Sequence, residues 1–355
     1  MNLTPGDLVV DVARIVKEDE DDANGDEDET PKKPKAVKAA KAAKSSVIPA
    51  EAVRDAAVAL RGIAVRTPLQ RVDALGAWLK LENLQPVGAF KLRGAYNAVR
   101  RLPEASRRRG VITYSSGNHG QAVAFAAQKF GVRAVIVMPE TAPAVKVAGV
   151  KKWGGEVVFA GRTSADRHQK AEALAAAEGL AVIPPFDHPD VVAGQATVGV
   201  EIAEQLPDVE TVVVPVGGGG LISGVVRGLA VAGSRATVWG VEPAGAPKLH
   251  DSLAAGHPVT LARTASIADG LITLTVGEIP FAVLAEHRER VGGVVLVEDD
   301  TIRAAVHFLH DRAGLAVEPS GAATTAAVLS GALKVRGPTV LVVSGGNVDP
   351  AMLQD

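Results

Sequence analysis

Residues 211–230 read TVVVPVGGGGLISGVVRGLA. A β-branched apolar run, four consecutive glycines and an apolar stretch of helical character follow one another without a break. Each glycine costs conformational entropy on folding. The glycines let a backbone come close to an anion, and the following helix N-terminus favours negative charge. Gly217, Gly218, Gly219 and Gly220 therefore read as a phosphate cradle, with a plain tight turn as the alternative. The spacing fits neither the G-x-G-x-x-G dinucleotide pattern nor a Walker A loop, since no Gly-Lys-Ser/Thr follows.

The same strand-then-helix rhythm extends in both directions. VITYS (111–115), VRAVIVMP (132–139), EVVFA (156–160), AVIP (181–184), TVWGVEP (237–243) and TVLVVSGG (339–346) alternate with Ala-rich stretches of helical length. This alternation predicts an α/β fold of parallel sheets with helices on both faces. Ligands of such sheets bind at the carboxyl ends of strands, which is where the remaining motifs fall. Ser115, Ser116, Gly117, Asn118 and His119 follow VITYS and open a helix. Free amides there suit a carboxylate, and Ser or Asn also make ordinary caps. Lys91 lies in GAFKLRG between apolar neighbours after a turn. A desolvated lysine has a lowered pKa and can form a Schiff base, although spacing alone favours a surface lysine. Ser344 closes the last strand.

In this order the four motifs resemble the fold type II pyridoxal-phosphate enzymes (tryptophan synthase beta-like), and among them the serine/threonine dehydratase and serine racemase family. The resemblance runs from about Ile48 to Asp349. It implies two domains with the cofactor in the cleft between them, over 47–107 plus 188–355 (large) and 108–187 (small). It also implies roles. Lys91 would carry pyridoxal 5'-phosphate as a Schiff base, with Phe90 near its ring. Asn118 would bond the cofactor's 3′ oxygen, Gly217–Gly220 would hold its phosphate, and Ser344 would face the pyridine nitrogen. The Ser115–His119 loop would hold the substrate carboxylate, joined by Arg167. Glu318, at a helix start, would lie near the cofactor. The implied reaction is α,β-elimination from L-threonine or L-serine to a 2-oxo acid and ammonia, with Lys91 as base. Racemisation of serine or aspartate and dehydration of 3-hydroxyaspartate are the alternatives. Ser116 keeps racemisation open, since racemases use a serine there as an acid.

Two departures bear on these expectations. Ala89 replaces the Ser that commonly precedes Phe. The cation-dependent branch has a Glu and, six residues on, an Asp; here Glu242 is present but Lys248 stands second. An ammonium cannot ligate a divalent ion and could itself supply the positive charge, so a divalent cofactor is not expected, though Glu242 leaves one open. His307 and His310 share a helix face without a visible third ligand. Biosynthetic threonine dehydratases carry a C-terminal regulatory domain. The sequence runs only eleven residues past Ser344, so feedback through such a domain is not expected.

Composition sets outer limits. The 355 residues are 47% hydrophobic and 22% charged, with no cysteine, which excludes disulfides and thiolate chemistry. No run suits a membrane span or a signal peptide, so the expected compartment is the cytoplasm. Residues 1–46 hold eight basic and eleven acidic groups in blocks, leaving 30 basic and 29 acidic in the rest. That stretch reads as a disordered charged tail, a solubiliser or an arm for nucleic acid or protein. The expected partners are a small amino-acid substrate and further copies of the chain.

Overall fold

A computed structural model describes residues 46–353 apart from Ser116 and Pro143. The charged tail read over 1–46 lies outside the described residues but for Ser46. Ten strands appear among the described residues: β1 (Leu69–Val72), β2 (Ala77–Leu81), β3 (Val111–Tyr114), β4 (Ala134–Met138), β5 (Glu156–Phe159), β6 (Ala181–Val182), β7 (Thr211–Pro215), β8 (Thr237–Pro243), β9 (Val291–Val297) and β10 (Thr339–Val343). They form a six-stranded sheet in the order β1-β2-β10-β7-β8-β9 and a four-stranded sheet in the order β5-β4-β3-β6.

The pairings are parallel, as the alternation predicts, except for β1 with β2. Only Asp73–Gly76 separate those two, too few for a crossover, so the chain turns back on itself. Gly76 supplies the left-handed residue that this turn requires, at φ 62°. Both central strands β10 and β4 are buried along their whole length, the burial expected where helices cover both faces.

Strand order places the site. β10 lies between β2 and β7 and runs parallel to both. The segments that leave these three strands therefore emerge at one edge. They are the stretch from Glu82 to Phe90 that leads to Lys91, the four glycines, and Ser344–Asn347.

The helix Lys91–Arg101 links the two sheets. It starts at that edge, yet its Leu92, Ala95, Ala98 and Val99 pack in one core with Val111, Ile136 and the helix Asn118–Phe130 of the four-stranded sheet. It also meets the helix Pro189–Gln205 at very close range. A Cβ on Gly94 would lie 2.3 Å from Gln195 Nε2, so only glycine permits the crossing. Beneath it sits a buried charge cluster. Arg93 donates to Glu82 (Nε to Oε2, 2.8 Å) and Glu201 (Nη1 to Oε1, 2.6 Å), and Lys80 to Glu201 Oε2 at 2.6 Å. The side chains of Arg93, Glu82 and Lys80 are wholly inaccessible, so each charge depends on its partners.

Candidate active site

Lys91 is fixed by backbone pairing rather than by a cap. Its neighbour Phe90 donates its amide to Ser344 O at 3.0 Å, Gly346 donates to Gly88 O at 2.8 Å, and Ala89 bridges Gly345. The lysine is thus held beside the end of β10. Its Nζ donates to Pro185 O at 2.7 Å and lies 5.2 Å from the centre of the Phe90 ring. A carbonyl stabilises the ammonium less than a carboxylate does, and burial lowers the Lys91 pKa to about 8. A larger share of the amine is therefore neutral and nucleophilic near neutral pH than for an ordinary lysine, and most of it is so above about pH 8.

The glycine loop leaves β7 next door. Among the described residues, no backbone or side-chain acceptor takes the amides of Gly217, Gly218, Gly219 or Gly220. They precede or open the helix Gly220–Val231, whose N-terminus adds to the attraction for an anion. Packing as well as φ requires the glycines. A Cβ on Gly218 would lie 2.3 Å from the Phe186 ring, one on Gly217 2.6 Å from Gly270 O, and one on Gly219 2.8 Å from Val276. Gly219 also adopts φ 86°.

From the other sheet comes the loop after β3. Ser115 donates its amide to Val137 O at 3.0 Å, and its hydroxyl accepts from Gly117 N at 3.1 Å. The His119 ring is buried and its Nε2 lies 3.0 Å from Ile183 O, which ties the loop to the chain leaving β6. Burial, with the nearby Lys91 charge second, lowers the His119 pKa to about 3, so the ring is neutral. Ser116, read from the sequence as a catalytic acid, lies outside the described residues.

Asn118 does not cap its own helix, whose N-cap is Gly117 without a side-chain bond. Its Nδ2 instead donates to Glu318 Oε1 at 2.5 Å, and its Oδ1 accepts from Asn347 Nδ2 at 2.7 Å. Glu318 likewise precedes the helix Pro319–Leu329 without capping it. Burial, and secondly the Asp269 charge, push its pKa up to about 7. Ser344 is buried at the strand end, and among the described residues its hydroxyl reaches only Ser320 O, at 3.5 Å.

Several contributors carry no signal in the sequence. Pro185 acts through a carbonyl, which every residue has. Phe186 fills the space that the glycines leave. Asn347 lies just past the last strand, where the sequence assigns it no role. Lys146 packs beside Gly117 and pairs with Asp269, across from one sheet's helices to the other's. Arg167 does not reach any of these residues by a hydrogen bond among those described. It donates to Arg162 O at 3.4 Å, and its Nε is buried without an acceptor.

Comparison with known proteins bears on this arrangement. The family described as pyridoxal-phosphate dependent enzyme matches residues 60–346. The chain belongs to this family. An L-threonine ammonia-lyase of Thermotoga maritima is 39% identical over 314 residues, covering 86% of this chain and 77% of the relative. An L-threo-3-hydroxyaspartate ammonia-lyase of Saccharomyces cerevisiae is 42% identical over 280 residues, covering 78% and 85%. The solved structure of maize serine racemase superposes with a TM-score of 0.81 at 35% identity, covering 87% of this chain and 96% of that one.

The pyridoxal-phosphate enzyme family thus has a matching apparatus in this chain. The four unpartnered amides suit a phosphate, and the half-buried Lys91 amine suits an aldehyde carbon. The Ser344 hydroxyl, weakly engaged at 3.5 Å, is free to bond a ring nitrogen. A divalent ion does not fit, because the Lys248 ammonium lies 2.9 Å from Glu242 Oε1. Among the described residues, no cluster of three or more His, Asp or Glu could hold a metal. No helix there is long and apolar enough to cross a membrane.

Proposed function

We propose that this pyridoxal-phosphate enzyme is an ammonia-lyase that eliminates water from L-threonine or L-serine, giving a 2-oxo acid and ammonia. The observation that carries the proposal is the Lys91 amine, half-buried and bonded to the Pro185 carbonyl beside four unpartnered glycine amides. The threonine and hydroxyaspartate ammonia-lyase relatives support it.

When bound, pyridoxal phosphate supplies an electron sink for charge developing at the substrate α-carbon. The rest falls to the chain. Gly217–Gly220 hold the phosphate, and Asn118 bonds the ring oxygen next to the aldehyde. Ser344 bonds the ring nitrogen as a neutral hydroxyl. That leaves the sink moderate, which suits elimination, because the charge need last only until the β-hydroxyl leaves. In the Ser115–His119 loop the amides of Asn118 and His119, at the start of the helix, bind the substrate carboxylate. Lys91 takes the α-proton on Nζ, the β C–O bond breaks, and that proton is returned to the departing hydroxyl, which leaves as water. The enamine product takes up water and yields the oxo acid and ammonia. Residues 108–187 form the unit that closes over the substrate in this reading, excluding water.

A second reading, racemisation, draws on Ser116, the hydroxyl of the carboxylate loop that racemases of the resembled family use as an acid. The likeness to a serine racemase favours it.

One experiment separates the two. The purified protein is loaded with pyridoxal 5'-phosphate and given L-threonine, L-serine or L-threo-3-hydroxyaspartate. A cofactor absorbance band that is lost in Lys91→Ala, together with oxo-acid release, supports the lyase and ranks the substrates. A band with D-amino acid and no oxo acid supports the racemase, and Ser116→Ala then abolishes that product. The absence of any band sinks both readings.

A further inference from the structure

Glu242 and Lys248 form an enclosed charge centre just behind the glycine loop. Glu242 lies on β8 and Lys248 opens the helix Lys248–Ala255. Both side chains are wholly inaccessible. The Lys248 Nζ donates to three oxygens: Glu242 Oε1 at 2.9 Å, Val216 O at 3.1 Å and Ala246 O at 3.1 Å. An ammonium has three N–H donors, so all are used. Glu242 is saturated as well, accepting from Leu249 N (2.9 and 3.1 Å) and His250 N (2.9 Å).

A carboxylate and two backbone carbonyls converging on one point are the hard oxygen donors a small cation takes. Here the nitrogen of a covalently attached ammonium stands at that point. One of its acceptors, Val216 O, belongs to the residue directly before Gly217. The carbonyl bonded to the ammonium and the first amide of the cradle are thus two ends of one rigid peptide plane. Orientation of that plane sets where the Gly217 N–H points.

We propose that Lys248 is a tethered cation that stands in for a dissociable metal ion and positions the glycine loop, so that cofactor binding in this chain needs no added cation. Lys248 acts here as a positioning residue, through Val216. The proposal rests on the reading of Gly217–Gly220 as the phosphate site.

The test measures the affinity for pyridoxal 5'-phosphate, by fluorescence quenching, before and after dialysis against EDTA. Binding of Mn²⁺ to the same protein is followed by calorimetry. The expected wild-type result is an unchanged cofactor affinity and no Mn²⁺ binding at this centre, judged against Glu242→Gln. Lys248→Ala opens the centre and leaves Glu242 buried without its partner. Its cofactor affinity falls by about tenfold or more and recovers with ammonium, K⁺ or Mg²⁺. If Lys248→Ala does not fold, the double variant Glu242→Gln/Lys248→Met removes both charges. It shows the same loss without rescue by any cation. The proposal is overturned if EDTA weakens wild-type binding, if Mn²⁺ restores it, if the variants bind as the wild type does, or if Lys248→Ala loses affinity that no cation restores. A wild-type protein that binds no cofactor at all overturns the phosphate-site reading instead.

Discussion

Asn347, beyond the last strand of the six-stranded sheet, donates its side-chain amide to Asn118 Oδ1 at 2.7 Å, and Asn118 belongs to the first turn of a helix on the other sheet. The same Asn347 nitrogen also donates to Val87 O at 2.9 Å, in the loop that leads to Lys91. With a donor at its oxygen and Glu318 at its nitrogen, Asn118 has one allowed amide orientation. Asn347→Ala frees that orientation without touching Lys91. The expected outcome is a weaker hold on pyridoxal phosphate, roughly fivefold to tenfold for one lost bond, and Asn347→Asp behaves alike because it cannot donate. Titration of the cofactor absorbance band measures both.

Lys91 and Glu318 give the apoprotein opposite pH slopes. In the folded chain the Lys91 pKa is about 8, against an ordinary 10.5. Between these values the unfolded chain holds the extra proton, so stability rises with pH. Glu318 titrates at about 7 against an ordinary 4.5. Between those values the folded chain holds the extra proton, so its contribution is present at low pH and is lost as pH rises towards 7. Urea unfolding of the apoprotein across pH, compared with Lys91→Met and Glu318→Gln, reads each slope as the difference that the variant removes. The rate at which cofactor combines with the apoprotein rises with pH and levels off above about 8, and a rate independent of pH would count against a buried amine.

Gly218 and Phe186 are mutually fitted. An added Cβ would lie 2.3 Å from the ring, so Gly218→Ala overpacks the loop and costs about 1–3 kcal/mol. Adding Phe186→Ala relieves the clash. The double variant is therefore more stable than the sum of the two single changes implies, a coupling that thermal melts of the four proteins detect.

Arg93 is the most exacting residue of the buried cluster. Arg93→Met leaves Glu82 wholly buried without its guanidinium partner, which costs about 3–5 kcal/mol of stability. The expected signature is a lower denaturant midpoint at an unchanged slope. A loss below about 1 kcal/mol would show that water reaches Glu82.

The alternation of strands and helices was legible because seven of the strands are dominated by β-branched and other apolar residues. The other three hid for physical reasons. β1 (LQRV) and β2 (AWLKL) carry Arg71 and Lys80, and Lys80 is buried with its ammonium on Glu201 Oε2 (2.6 Å), Thr67 O (2.8 Å) and Gln205 Oε1 (2.9 Å). β9 (VGGVVLV) carries two glycines, which read as a loop. The candidate site was legible where the proposed chemistry depends on residue type, as at Lys91, Asn118 and the glycines. It was illegible where a backbone atom does the work, as at Pro185 and Val216, or where strand order brings distant segments together, as for Phe90 with Ser344.

The helix Lys91–Arg101 also bears on how such an enzyme can be divided. Its first residue carries the Lys91 amine at one sheet, while Leu92, Ala95, Ala98 and Val99 complete the core of the other. A fragment cut from the chain after residue 107 would lose that wall and expose Val111 and Ile136. Neither sheet is therefore a portable module. Recombination between relatives preserves the enzyme only when the crossover keeps this helix together with both of its neighbours.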